Sequence, residues 1–194
     1  MSDNLKPQLR MQRPTLAGLP PQQLPPGVTL RSYQDGDDAV WDGLLRLSFG
    51  ADTTVRFAKT MAADPCYSPD RVLFLELHGK PVATTSAYHK ADVRPTQGMV
   101  HYVAGDPAAK GLGLGRQIVL AALHHMAREG RSGSWLGTDD FRLPAIKIYL
   151  DLGFEPVLLD ENQRERWATV LRNLGRPELI ETFAPILTGP VVTA

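Results

Sequence analysis

The stretch that most restricts the fold runs from Gly98 to Gly130, GMVHYVAGDPAAKGLGLGRQIVLAALHHMAREG. Its opening, GMVHYVAGD (98–106), has the β-branched and aromatic composition of a strand. Its end, LGRQIVLAALHHMAREG, carries a long apolar face at helical spacing. Between them Gly111, Gly113 and Gly115 fall at every second position, flanked by Lys110 and Arg116. Glycine accepts positive φ and lets backbone approach a partner closely. Two readings of the loop stand side by side. One is a tight strand-to-helix turn. The other is a cradle in which unpaired helix N-terminal N–H groups face an anion such as a pyrophosphate.

Two better-known phosphate loops are excluded by spacing. A Gly-x4-Gly-Lys-Ser/Thr loop needs a Gly-Lys-Ser/Thr run, and the segment has none. A GxGxxG dinucleotide fingerprint needs a third glycine where Arg116 or Ile118 stands. It also needs an acidic residue some twenty positions on, where GRSGSW lies instead.

The rest of the chain supplies strands and helices around this unit. VTLRSY (28–33) reads as a short strand, and DGDDAVWDGLLRLSFG as a helix with Asp37 or Asp38 near its N-terminus. TVRFAKTMAAD is expected to be a second helix and PCYSPD a loop. RVLFLEL and PVATTSAYHKADV form two strands joined by His78-Gly79, a hairpin signal. SGSWLGTDD is a strand. LPAIKIYLDLG is a helix that opens on Pro144 and ends at Gly153. FEPVLLD is a last strand and ENQRERWATVLRNLG a last helix. Antiparallel hairpins followed by strand–helix alternation make a mixed α/β (α+β) domain. Residues 1–27, with prolines at 7, 14, 20, 21, 25 and 26, read as an extended or disordered arm. The domain is expected over 28–174, with 175–194 a tail of no assigned structure.

Composition narrows the partners. Lys plus Arg and Asp plus Glu both total 21, so the formal net charge is zero. That offers no global electrostatic case for nucleic acid or an anionic membrane. A single cysteine, Cys66, precludes an intrachain disulfide, and no segment has the apolar length of a membrane span. The expectation is a cytoplasmic protein, with a homodimer open. Cys66 lacks a histidine context for a thiol nucleophile. His124 and His125 sit mid-helix without partners at ligand spacing, so no metal site is expected. Trp135 and Trp167 are expected to be core anchors.

The order of strand, KGLGLGRQ helix, WLGTDD strand and AIKIYLDLGF resembles the GNAT acetyltransferase superfamily. Lys110-x-x-Gly113-x-Gly115 matches its Arg/Gln-x-x-Gly-x-Gly/Ala signature with Lys in the leading place. Ala145-x-x-x-Tyr149-x-x-x-Gly153-Phe154 matches its second signature. The likeness is strong over 98–156 and weaker from 28 onward. It implies a GNAT-like fold, a central and mostly antiparallel sheet splayed at the fourth strand with helices on both faces. It implies acetyl-CoA as co-substrate and direct acetyl transfer to an amine, with no metal. A small-molecule amine is the leading acceptor. A protein N-terminus or lysine, and a non-catalytic acyl-CoA-binding module, are the alternatives.

The resemblance also implies roles. The backbone of Val103, Ala104 and Gly105 meets the pantetheine arm, and the N–H groups of Gly111, Leu112, Gly113, Leu114, Gly115 and Arg116 meet the pyrophosphate beside Lys110. Tyr149 stands where the family often places the acid that protonates the leaving thiolate. His101, expected on one strand face with Val103, is the candidate base; Glu76, His89 and Asp92 are weaker ones. Asp139 and Asp140 are expected to cap the following helix or to touch the amine. The chain departs from the family at Arg142, where Asn is common, and at Gly105, where a β-branched residue is common.

Overall fold

A computed structural model describes residues 7–192. Its strands are β1 (Leu9–Arg13), β2 (Val28–Ser32), β3 (Val72–Leu77), β4 (Lys80–Tyr88), β5 (Gln97–Gly105), β6 (Gly133–Thr138) and β7 (Glu155–Val157). Its helices are α1 (Asp38–Phe49), α2 (Phe57–Thr60), α3 (Leu114–Arg128), α4 (Leu143–Asp151), α5 (Gln163–Asn173), α6 (Glu178–Thr182) and α7 (Ala184–Leu187). The chain divides into two compact units, residues 15–134 and residues up to 14 together with those from 135 onward.

In the larger unit β2, β3, β4 and β5 pair antiparallel in sequence order. The β3–β4 turn works as expected, because His78 and Gly79 both adopt positive φ, +51° and +79°. That is the twist a two-residue hairpin needs. Strand alternation then sorts the two faces. Val72 and Phe74 pack with Trp41, Leu44 and Leu45 of α1 and with Phe57 of α2. The opposite face meets α3, whose residues Ile118 to Leu123 and Met126 are all buried. Gly98 lies so close beneath Met126 that a Cβ there would stand 2.5 Å from the sulfur. Helix α2 is shorter than the sequence suggested. It is fixed instead by the Phe57 N–H donating to Asp42 at 2.7 Å, and by a Phe57 ring buried against Trp41 and Tyr33.

From residue 7 on the N-terminal segment is not a detached arm, and residues 1–6 of the expected arm lie outside the described residues. In the smaller unit β1 lies between β6 and β7, antiparallel to β7 with Arg10 opposite Val157 and Gln12 opposite Glu155. Leu9 and Met11 are fully buried. Their alternation with polar Arg10 and Gln12 is a five-residue strand pattern, which the flanking prolines Pro7 and Pro14 obscured in the sequence. Residues 15–27 in turn line the larger unit. The Leu16 N–H donates to the Ser132 carbonyl, Gln22 donates to the Gln117 carbonyl, and the Pro20 carbonyl meets His124 at 2.9 Å.

The C-terminal tail is also placed. It forms α6 and α7, the Leu187 carbonyl accepts from Arg164 at 2.7 Å, and the Val192 N–H donates to the Leu158 carbonyl. Trp167 is fully buried as expected, whereas Trp135 is only half-buried and carries the Arg10 guanidinium 4.8 Å above its ring. No helix among the described residues is long and apolar enough to cross a membrane.

Candidate active site

Strand β5 does not alternate regularly. Thr84 of β4 pairs with Ala104, yet Ser86 pairs with His101, so Tyr102 and Val103 together stand opposite Thr85. Tyr102 carries the irregularity with φ +50°. This is a β-bulge, and it re-aims the residues that follow it. The expectation that His101 and Val103 share a face therefore fails. His101 shares its face with Ala104, Ser86 and Thr84, toward the α1 and α2 cluster. Gly105, expected to offer free main-chain groups, has both engaged by Ser48. Its N–H donates to the Ser48 hydroxyl at 2.9 Å and its carbonyl accepts from it at 3.2 Å.

Beyond β5, Asp106 accepts from the Ala108 N–H and caps a short 3-10 turn over Pro107–Ala109. The chain then reaches the glycines. Gly111 and Gly113 take positive φ, +92° and +72°, and Gly113 is the N-cap of α3. Gly113 supplies no capping side chain, and the first turn of α3 holds no acidic residue. The first amides bonded back are those of Arg116 and Gln117, both donating to the Gly113 carbonyl. Among the described residues, the N–H groups of Gly111, Leu112, Gly113, Leu114 and Gly115 have no hydrogen-bond partner. Buried Leu114 anchors the loop while Lys110 and Leu112 stay exposed. Among the described residues the side chains of Lys110 and Arg116 make no ion pair. Five consecutive unpartnered donors at a helix N-terminus, with Lys110 and Arg116 beside them, are an arrangement suited to an anion. Such a donor set suits a pyrophosphate, and a tight strand-to-helix turn accounts for the same backbone.

The titratable candidates behave differently from one another. The His101 ring packs 3.9 Å from Tyr102 and 5.3 Å from Tyr88, centroid to centroid, and has no hydrogen bond among the described residues. Burial disfavours its cation and pulls its pKa to about 4, against a smaller opposing pull from the Asp64 carboxylate. Tyr149, in α4 of the smaller unit, is buried beside Phe154, and its hydroxyl has no partner among the described residues. Burial raises its pKa to about 12, so the phenol holds its proton throughout the neutral range.

The weaker base candidates have structural duties or none. Glu76 accepts from Arg31 at 2.7 Å, and the His89 Nδ1 lies 3.1 Å from the Gln97 carbonyl. Asp92 is exposed in the β4–β5 turn. Asp139 and Asp140 do not cap α4. Asp139 accepts from Arg142 and Gln8, and Asp140 takes both arms of Arg166 at 2.7 and 3.0 Å. Arg142, the departure from the family pattern, thus has a local carboxylate partner.

Two groupings were missed by sequence reasoning. One is Asp64, whose Oδ1 accepts from the Cys66 N–H and whose Oδ2 accepts from the Tyr88 hydroxyl, both at 2.8 Å. The other is Asp70, His125 and Glu129, whose ligand atoms lie within 4.8 Å of one another. His125 therefore does have partners, and its i,i+4 spacing to Glu129 was the available signal. The Glu129 oxygen nearest His125 already accepts from Arg71 at 2.6 Å, which makes the group an ion-pair cluster.

Comparison with known proteins agrees with this geometry. Residues 41–154 match the Acetyltransferase (GNAT) family. A mycothiol acetyltransferase from Thermomonospora curvata is 31% identical over 78% of this chain and 52% of its own length. One from Nocardia farcinica is 35% identical over 73% of this chain and 50% of its own. The chain thus spans about half the length of these curated relatives. Among solved structures, a GCN5-related N-acetyltransferase from Sphaerobacter thermophilus superposes with a TM-score of 0.63. It is 19% identical, over 78% of this chain and 49% of that one, a likeness of fold. With the family matched across the bulged strand, the glycine loop and the Gly153-Phe154 helix end, this chain belongs to the GNAT acetyltransferase family.

Proposed function

We propose that the chain transfers an acetyl group from acetyl-CoA to a primary amine of a small molecule. The observation that carries this reading is the run of five unpartnered N–H groups at the N-terminus of α3. Bound acetyl-CoA supplies an acyl group already activated as a thioester. The chain holds it: the amides of 111–115 and the side chains of Lys110 and Arg116 take the pyrophosphate, and the backbone at Val103 and Ala104 takes the pantetheine arm. Gly105 is left to Ser48. Main-chain recognition of this kind makes few demands on side-chain identity.

His101 is proposed to accept the proton that the amine loses, and Tyr149 to protonate the departing thiolate. Burial keeps His101 neutral at pH 7, which leaves a ring nitrogen open to a proton while making it a weaker base than an ordinary imidazole. Tyr149 keeps its proton and so is ready to donate. The relatives named mycothiol acetyltransferase make their acceptor the first to test. A cytoplasmic setting is proposed from the lone free Cys66.

Calorimetry with acetyl-CoA, followed by mass spectrometry of reactions with that acceptor and a panel of amines, tests the proposal. The expected outcome is heat of binding and a mass gain of one acetyl group on an amine. Neither heat nor thermal stabilisation at millimolar acetyl-CoA overturns it.

A further inference from the structure

On the α1 and α2 face of the larger unit, three polar groups gather at one end of β4 and β5 with their chemistry unspent. Ser86 is 1% exposed and its hydroxyl has no hydrogen-bond partner among the described residues. His101 stands directly across the ladder from it, also unpartnered. Tyr88, two residues along β4 on the same face, packs its ring on His101 and donates its hydroxyl to Asp64. Asp64 enters from the segment after α2, half-buried, its two oxygens fixed by Tyr88 and by the Cys66 N–H.

Asp64 nevertheless lacks a counter-ion. No Lys, Arg or His forms an ion pair with it among the described residues, and exposed Lys90 acts on it only at a distance. Its donors hold the carboxylate below the usual aspartate range, so it is charged at neutral pH. A half-buried carboxylate without a cation leaves its negative charge open to a ligand. Tyr88, whose hydroxyl donates to Asp64, packs on the neutral His101 ring, which stands across the ladder from the buried Ser86 hydroxyl; that imidazole and that hydroxyl can both accept hydrogen bonds. The ligand complementary to such a set carries positive charge and several N–H donors.

The geometry points to Asp64 as the carboxylate that receives the ammonium group of the acceptor, joined to His101 through Tyr88. This deepens the acetyltransferase reading and rests on it for the identity of the ligand as acceptor. Asp64 thereby selects acceptors that arrive protonated.

The test follows the full-length protein by NMR at neutral pH, observing the His101 and Tyr88 ring protons. Methylammonium chloride, the smallest primary ammonium, is titrated in, with potassium chloride as the matched salt. The expected result is a saturable shift at both rings, with half-saturation on the order of 10 mM, about the limit for a ligand of two heavy atoms. Potassium gives no such shift. Asp64→Asn, which preserves an acceptor for Tyr88, abolishes it; Asp52→Asn, at an exposed position, does not. An equal response to potassium, no saturation, or persistence in Asp64→Asn overturns the assignment. Should Asp64→Asn fold poorly, the wild-type titration still decides, because a shift that maps away from His101 and Tyr88 is fatal. Calorimetry with acetyl-CoA runs in parallel. Loss of acetyl-CoA binding with the ammonium shift intact strikes at the acetyltransferase reading. The converse strikes at Asp64 alone.

Discussion

The two sides of the larger unit's sheet treat polar groups in opposite ways. At the β2 side the charged groups are matched. Arg31 reaches Asp37 at 2.5 Å and Glu76 at 2.7 Å, Asp37 also accepts from the Gln34 N–H, and Tyr33 donates to Asp38. Asp37 and Asp38 bring their negative charge to the start of α1, where the helix favours it. At the β5 side several groups are left open: the start of α3 has no acid, no capping side chain and five free amides, and the His101 ring and the Ser86 hydroxyl have no hydrogen-bond partner among the described residues. A matched network of this kind holds a fold together. An unmatched one costs stability and is retained where a ligand supplies what is missing.

The largest expected effect comes from making the β5 side resemble the β2 side. Gly113→Asp places a carboxylate at the start of α3, where Asp tolerates positive φ better than a branched residue does. It should weaken acetyl-CoA binding by at least about a hundredfold through like-charge repulsion and loss of the anion's place. Calorimetry on the folded variant checks this, and unchanged affinity would mean that the loop is only a turn.

The reverse experiment opens the β2 side. Asp37→Ala leaves Arg31 half-buried with only Glu76. It should lower stability by about 2 kcal/mol in denaturant unfolding while acetyl-CoA affinity stays within about twofold.

A similar magnitude, but pH-dependent, belongs to His101. Its folded pKa of about 4 lies below the ordinary histidine value, so the unfolded chain binds the extra proton more readily. Stability is fully present above about pH 6.5 and is lost as pH falls toward 4, by about 2 kcal/mol between pH 7 and pH 5. His101→Gln should flatten that slope. The same variant should cost about a hundredfold in turnover if the residue is the base. A flattened slope with unimpaired turnover would leave His101 a packing residue.

The smallest effect is expected at Arg116. Arg116→Ala should weaken acetyl-CoA several-fold at low salt and by less at high salt, since a partly exposed charge is screened.

How much of this was legible depends on the reach of each feature along the chain. The glycine loop, the Tyr149 helix and the β3–β4 hairpin are local, and glycine spacing and apolar period announce them. The bulge at Tyr102 has no residue signature, since a tyrosine at positive φ is not what composition suggests. It is nevertheless what places His101 and Ala104, rather than His101 and Val103, on one face. Asp64 and Tyr88 are 24 positions apart, and no periodicity relates them. The N-terminal strand was hidden by its prolines, and its apolar pair, Leu9 and Met11, was too short a pattern to stand alone.

That strand has a consequence for the order in which the protein is made. Gln12 emerges from the ribosome 143 residues before Glu155, its partner in β7. At about 5–20 residues per second, β1 waits on the order of ten seconds with two apolar side chains and both backbone edges uncovered. Residues 15–134 are complete before then. The smaller unit therefore closes after the larger one, and β1, made before the other described strands, is among the last to find its place.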